Sequence, residues 1–315
     1  MSGNDARMTG SKGSLTLVGT PIGNRADLSG RALEALRKAD TVLAEDTRVS
    51  GKLLQSFGVA AHLERCDENV IAERAPQLVR RMAAGERMAF VSDAGMPAVA
   101  DPGARLVDAC RDAGVPVDVI PGPSAVTCAI AQSGFACEAF YFGGFLPRKD
   151  GERARVLKGL AGLPAVLVFY ESPHRVADSL ASIAAAFPAR RVALARELTK
   201  VFQEVVRGSA AELVELLEQR GEPKGECVLL VDAPGAEELA AWQRRMAALE
   251  LGAGLGVAAG EGEGDSGAEF DLDAAITAGL AAGKRATALA KELARCCDTP
   301  RSEIYERICA LGKGE

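Results

Sequence analysis

Three stretches rich in glycine and proline stand directly behind apolar runs: Gly19-Thr20-Pro21-Ile22-Gly23-Asn24, Ser92 to Gly103 (SDAGMPAVADPG), and Pro121-Gly122-Pro123-Ser124-Ala125. Glycine lets a backbone approach a ligand closely, and proline fixes φ and withdraws a donor. Ser124 is placed to cap a following helix. The first stretch is not GxGxxG, and GxxxxGK[ST] occurs nowhere, so neither a dinucleotide fingerprint nor a P-loop is present. GxSxG is absent too, which argues against a hydrolase nucleophile elbow. Taken singly, Gly19–Asn24 reads as a tight strand-to-helix turn. The 12 residues from Ser92 to Gly103 are more than such a connection needs. A long loop at the carboxyl end of a parallel strand is where open α/β sheets bind ligands. Three such loops on one rim would be a stronger signal than any one alone.

A second set of stretches carries charge. Glu45-Asp46-Thr47-Arg48 is either a salt-bridged loop or a polar wall with Arg48 on a phosphate. Arg148-Lys149 are adjacent cations in a loop, and Glu171-Ser172-Pro173-His174-Arg175 puts a histidine at a helix start. Arg196-Glu197-Leu198-Thr199-Lys200 lies between two strands, and Lys224-Gly225-Glu226-Cys227 opens another. Metal chemistry is not expected. The only histidines are His62 and His174, and the 8 cysteines contain no C-x-x-C pair. Most of these thiols are expected to be small buried side chains.

The elements that must position these residues follow from the apolar pattern. Residues 14–120 alternate strands (15–18, 41–44, 88–91, 117–120) with helices (28–39, 50–57, 70–84, 104–113), the signature of a largely parallel sheet covered by helices. Residues 121–249 predict a second α/β domain. Its helices fall at 124–132, 173–186, 210–218 and 236–249, and its strands at 139–142, 165–169, 191–195, 202–207 and 227–231. Residues 146–153 read as a polar loop. Strands 191–195 and 202–207 have no room for a helix between them and should pair antiparallel. Residues 250–270 hold seven glycines and almost no periodic apolar pattern, so they read as a flexible acidic linker. Residues 271–315 predict three short helices in a helix-turn-helix-like bundle, and residues 1–13 a disordered lead-in.

Composition narrows the function classes. Aromatic residues are 4% of the chain, too few for an aromatic base-stacking platform. The N-terminus is polar, without the apolar core of a signal peptide, and no apolar run is long enough to span a membrane, so a cytoplasmic protein is expected. Net charge is −6, but most of the excess sits in residues 236–270, leaving a local basic face possible on the body.

GTPIGN, AEDTR, SDAGMPAVADPG, PGPSA, FGGFLPRK, ESPHR, ARELTK and KGE, in this order, resemble the tetrapyrrole methylase superfamily over residues 14–235, and within it the branch that methylates small-subunit ribosomal RNA. The C-terminal helices are similar to that branch's helical tail, and Met96 stands where the branch commonly has threonine. The resemblance implies two α/β domains with a cleft for S-adenosylmethionine between them, usually in a homodimer. Carried over position by position, the cofactor contacts are Pro21, Ile22, Asp93, Met96, Ala100, Ser124, Ala125, Tyr170, Leu198 and Gly225. The implied reaction is methyl transfer to the ribose 2′-hydroxyl of a cytidine in 16S rRNA, with the rRNA or the small ribosomal subunit as partner. Glu197 and Lys200 are the first candidates for catalysis, with Glu45, Asp46 and His174 behind them. Arg48, Arg148, Lys149 and Arg175 are the candidate RNA contacts. The chemistry is compatible with the residues: this cofactor carries no phosphate, so it needs backbone polar groups, a carboxylate and apolar walls. A small-molecule tetrapyrrole methylase and a non-enzymatic ribosome-binding factor are the competing readings.

Overall fold

A computed structural model describes residues 13–99, 103–255 and 270–311. Ala100, expected on the cofactor, and residues 1–12, expected to be a lead-in, lie outside the described residues.

Among the described residues, ten strands form two five-stranded sheets. In the first, β1 (Ser14–Val18), β2 (Thr41–Ala44), β3 (Leu63–Arg65), β4 (Arg87–Val91) and β5 (Val117–Ile120) are all parallel, in the order β3-β2-β4-β1-β5. Helices α1 (Gly30–Lys38) and α2 (Thr47–Ser56) bring Ala32, Leu36 and Leu54 onto Val18, Val42 and Ala89. On the opposite face, α3 (Glu68–Ala83) and α4 (Ala104–Asp112) bring Ile71, Leu78, Met82 and Leu106 onto Leu15, Leu43 and Phe90. Burial on both faces explains why the central strands β2 and β4 are near-continuous apolar runs.

The second sheet contains β6 (Phe140–Phe145), β7 (Val166–Glu171), β8 (Arg191–Arg196), β9 (Glu204–Ser209) and β10 (Cys227–Val231), in the order β6-β7-β10-β8-β9. β6 and β7 are parallel; β10 runs antiparallel to both β7 and β8, and β8 to β9. The antiparallel pairing expected for 191–195 and 202–207 is therefore present, with β9 shifted to Glu204–Ser209. Helix α5 (Ala125–Ser133) packs Val126 and Ala129 on Val168, Ala195 and Val228. Beyond α6 (Asp150–Gly159), α7 (Val176–Ala186) and α8 (Ala210–Arg220) follow, α8 opened by a reciprocal Ser209–Glu212 capping box.

Several local expectations are corrected. The polar loop expected at 146–153 gives way at Asp150 to helix α6, which runs to Gly159. β3 was not anticipated, being a three-residue edge strand without an apolar alternation. The helix expected from Pro173 begins as a 3₁₀ turn, Pro173–Arg175, before α7. Ser124 precedes α5 but makes no side-chain cap.

The chain divides into two compact units. Both sheets lie in one, Met1–Arg153 with Val166–Asp232. The other, Ala154–Ala165 with Ala233–Glu315, contains α9 (Ala236–Leu255), α10 (Leu272–Ala281), α11 (Ala286–Leu293) and α12 (Arg301–Leu311). Ile276, Leu289, Leu293, Ile304 and Ile308 form the core of its three-helix bundle. The helix α9 runs to Leu255, past the expected start of the linker, and residues 256–269 lie outside the described residues.

Four of the cysteines behave as the sequence suggests: burial pushes the thiols of Cys66, Cys110, Cys227 and Cys296 up to about 11, so they are inert small side chains. Among the described residues no helix is long and apolar enough to cross a membrane.

Candidate active site

Strand order brings the three glycine-rich loops together. β4, β1 and β5 are neighbours, so Ser92–Val99, Gly19–Asn24 and Pro121–Ser124 emerge side by side at their carboxyl ends. The loops are in direct contact. Thr20 and Gly95 exchange backbone hydrogen bonds, with Thr20 N–H to Gly95 O at 2.9 Å and Gly95 N–H to Thr20 O at 3.2 Å. The Gly122 N–H donates to the Met96 sulfur at 3.2 Å. A Cβ on Gly19 would lie 2.6 Å from Gly122 Cα, so only glycine allows this approach. The neighbouring β2 loop joins the row: the Asp46 N–H donates to Asp93 Oδ1 at 3.2 Å. Although Asp93 has an exposed outer face, burial of its carboxyl raises its pKa above the usual value, outweighing that hydrogen bond.

The second sheet presents a matching rim. Antiparallel pairing aligns Glu171, Cys227 and Arg196 at one end of β7, β10 and β8, so Tyr170, Gly225 and the turn after Arg196 are brought close. That turn crosses to the first sheet. Thr199 Oγ1 accepts the Asn24 N–H at 3.0 Å, and a Cβ on Gly23 would lie 2.5 Å from Lys200 Cγ. Ile22, from the first loop, is buried with Val126, Leu198 and Tyr170. The two rims thus face one another across a junction that Ile22 and Leu198 seal.

The turn itself is over-determined. Glu197 and Thr199 adopt positive φ, 49° and 64°, a conformation side chains resist. Lys200 Nζ bonds Glu197 Oε1 at 2.8 Å and Glu226 Oε2 at 2.9 Å, and Glu197 Oε1 also accepts the Glu226 N–H at 3.2 Å. A Cβ on Gly225, whose φ is +86°, would meet Glu197 Oε1 at 2.0 Å. The hydrogen bond from Lys200 holds the Glu197 carboxyl below its ordinary pKa. Burial alone would lower the Lys200 ammonium, but bonds to Glu197 and Glu226 leave it above its ordinary value. Lys200 is therefore a cation at neutral pH, and Glu197 is a weak base with an occupied oxygen.

The remaining sequence candidates are distributed unevenly. Asp46 caps α2 and grips its own neighbour: Arg48 Nη2 lies 2.6 Å and Nε 3.0 Å from it, so this guanidinium is partly neutralised. Glu45, at the end of β2, is half-buried. His174 is exposed and pairs with Glu222. Lys149 is exposed and pairs with Glu152 at 3.2 Å, whereas the exposed Arg148 guanidinium has no ion-pair partner among the described residues. Arg175 does not face outward as expected. Its Nη2 donates to Leu146 O at 2.6 Å and Pro147 O at 3.2 Å, and its Nη1 lies 3.3 Å from the buried Glu171. It builds the 146–149 loop instead of offering a free cation.

Arg153 was missed. Its side chain is only 3% exposed. It donates to Pro147 O and Arg148 O, both at 3.3 Å, to Ser182 Oγ at 2.8 Å and to Asp150 at 2.7 Å. With Arg175 it clamps the three carbonyls beneath Arg148 and Lys149. The only sequence signal was a cation four residues beyond Lys149, which looked like part of a solvated loop.

The residues present fit S-adenosylmethionine. The amides opening α5 lack a side-chain cap and could receive a carboxylate. Asp93 offers an acceptor, and Ile22, Leu198 and Tyr170 an apolar wall. A phosphate cradle is neither needed nor present among the described loops.

Comparison with known proteins agrees with this geometry. The family model described as Tetrapyrrole (Corrin/Porphyrin) Methylases matches residues 14–214. A ribosomal RNA small subunit methyltransferase I from Mesorhizobium japonicum is 45% identical, with 69% of this chain and 74% of that one covered. One from Streptococcus pyogenes serotype M1 is 36% identical, with 94% of each covered. Among solved structures, a uroporphyrin-III C-methyltransferase from Thermus thermophilus complexed with S-adenyl homocysteine superposes with a TM-score of 0.50. It is 20% identical and covers 70% of this chain and 97% of that one, a likeness of fold alone. The chain belongs to the tetrapyrrole methylase family, and within it to the group of ribosomal RNA small subunit methyltransferase I proteins.

Proposed function

We propose that this protein uses S-adenosylmethionine to methylate the ribose 2′-hydroxyl of a cytidine in small-subunit rRNA. The observation that carries the reading is the crossing of Gly23 and Asn24 with Thr199 and Lys200, which joins the glycine-rich rim of one sheet to the charged rim of the other. Similarity to a ribosomal RNA small subunit methyltransferase I over 94% of the chain, at 36% identity, favours RNA over a tetrapyrrole as acceptor. The helical unit gives the chain an additional surface for the ribosomal subunit.

When bound, S-adenosylmethionine supplies a methyl group on a sulfonium centre. In this reading Pro21, Ile22, Met96, Ser124, Ala125, Tyr170, Leu198 and Gly225 surround it, and Asp93 accepts from its polar groups. Holding donor and acceptor in line contributes up to ~7–11 kcal/mol in favourable cases. The chain's apolar junction excludes water from that alignment. The Lys200 cation orients the acceptor ribose, and Glu197 with Glu226 holds Lys200 in place. Arg148 and Lys149 contact phosphates, on a loop stiffened by Arg153 and Arg175. A homodimer accompanies the family reading, and exposed Phe140 and Val119, on edge strands β6 and β5, are apolar surfaces suited to a second copy.

The test is incubation of the purified protein with methyl-labelled S-adenosylmethionine and undermodified 30S subunits, followed by mapping of the labelled nucleotide. Label in 2′-O-methylcytidine is expected; no transfer, or label on a base, overturns the reading. Asp93→Ala is expected to weaken cofactor binding by calorimetry, and unchanged affinity would remove Asp93 from the cofactor site. Lys200→Ala is expected to slow single-turnover transfer by roughly 10²-fold, and an unchanged rate removes it from catalysis.

A further inference from the structure

The turn that joins the two rims carries an unexplained feature. Val201 is 93% exposed and Phe202 is 74% exposed, the two most exposed large apolar side chains among the described residues. The sequence pattern assigned Phe202 to a strand. Arg196, however, pairs with Glu204, so residues 197–203 form the turn and Phe202 stands at its tip. An aromatic so exposed gains nothing from the core.

The tip is held rigidly. Thr199 N–H donates to Gln203 Oε1 at 2.6 Å, Lys200 N–H to Glu197 O at 3.0 Å, and Gln203 N–H to Lys200 O at 3.1 Å. Gln203 Nε2 reaches Gln132 Oε1 at 3.0 Å on α5, which anchors the far side. With two residues in left-handed backbone at its start, this turn has little freedom left to lose on binding.

Its surroundings are polar. Lys200 and Gln203 flank the tip, and Asn24 is hydrogen-bonded to Thr199. Arg25, next in the chain, is exposed and has no ion-pair partner among the described residues. A protein–protein interface of ordinary size requires about 800 Å² on each side with an apolar centre. Two apolar residues flanked in the chain by Lys200 and Gln203 are a poor centre. A rigid exposed aromatic two residues from the Lys200 cation, on a turn bonded to the chain just before the exposed Arg25, is instead suited to a nucleobase with its phosphate.

We propose that Phe202 is a base-stacking residue that receives an unpaired base of the RNA substrate beside the methylated ribose, with Val201 as apolar backing and Arg25 on the adjoining phosphate. This rests on the function proposed above. It assigns one stacking position and does not require an aromatic platform, in keeping with the low aromatic content. Stacking on a single face is tolerant of base identity, so Phe202 contributes affinity and placement, while sequence selection comes from other contacts.

The experiment uses the full chain, methyl-labelled S-adenosylmethionine and undermodified 30S subunits. Phe202→Ala is expected to raise KM for the subunits by roughly 5- to 150-fold, the equivalent of one lost base stack. Cofactor affinity should be unchanged, Phe202→Tyr should recover most of the loss, and Phe202→Leu should not. Phe202→Trp should show emission quenched by addition of 30S subunits but not by cofactor. Three outcomes overturn the proposal: an unchanged KM in Phe202→Ala, a full recovery in Phe202→Leu, or dissociation of a wild-type oligomer in Phe202→Ala, which would assign the tip to a second copy of the chain. If the wild-type protein itself transfers no methyl group, the underlying function fails and the variants are not the cause.

Discussion

Replacing Gly19 by alanine tests whether contact between the β1 and β5 loops sets the cofactor side of the cleft. The new Cβ would lie 2.6 Å from Gly122 Cα, 2.7 Å from Gly122 N and 2.7 Å from Met96 Sδ. Ordinary carbon–carbon contact is about 3.5–4.0 Å, so the loops must part by about 1 Å. Two of the three obstacles are backbone atoms, which cannot rotate away as a side chain tip would. Parting the loops strains the Gly19 N–H bond to Ile120 O, now 3.1 Å, and the Gly122 bond to Met96. Overpacking of this kind costs about 1–3 kcal/mol of stability. The larger effect is on chemistry, since a misplacement of about 1 Å can cost roughly 10²-fold in rate. Thermal denaturation, calorimetry with S-adenosylmethionine and single-turnover transfer to 30S subunits would each be measured. Gly30→Ala is the control, because nothing lies within 4 Å of its Cβ position and it opens α1. The reasoning is refuted if Gly19→Ala melts, binds and reacts as Gly30→Ala does.

Gly225→Ala should displace Glu197 from Lys200, because its Cβ would overlap Oε1 and its φ is left-handed; about 2–4 kcal/mol of stability should be lost in urea denaturation. A wild-type urea midpoint would mean that the turn accommodates a side chain there. Arg153→Ala removes the buried donors beneath the 146–149 loop, and a loss of about 2–4 kcal/mol is expected, together with weaker binding of 30S subunits at unchanged cofactor affinity. Equal losses of both affinities would refute a role specific to that loop. Glu64 lies between Arg81 and Arg74, and hydrogen bonding chiefly to Arg81 holds its carboxyl at about 2 instead of 4.5. A carboxyl depressed on folding contributes stability above the unfolded value, here about 3 kcal/mol at neutral pH, which is lost as pH falls from 4.5 toward 2. Glu64→Gln should flatten the stability profile across that window, and an acid limb identical to wild type would contradict the assignment.

Much of the architecture was written locally. Strands buried on both faces need continuous apolar runs, so β2, β4 and β10 were legible as such. The glycine and proline loops were equally plain, since a close backbone approach such as Gly19 against Gly122 admits no side chain. Elements that bury little were not legible. β3 is a three-residue edge strand, and α6 is a polar helix whose opening resembles a solvated loop. At the charged rim, residue types were visible but their commitments were not. Arg175 looked like a free cation and is spent on Leu146 O and Pro147 O, while Arg153 looked incidental and is buried under the same loop.

The chain by itself determined which residues can turn sharply, approach closely or carry charge, because those properties depend on the residue and its immediate neighbours. Tertiary structure alone decided which of them meet. Strand order set β4, β1 and β5 side by side, and the crossing at Gly23 brought a turn some 175 positions away against Asn24. It also paired Glu197 with Lys200 and Glu226, turning two candidate bases into a held cation and its support. The physical reason is that pairing and proximity are set by long-range packing, and they determine the burial, hydrogen bonding and charge partners from which reactivity follows.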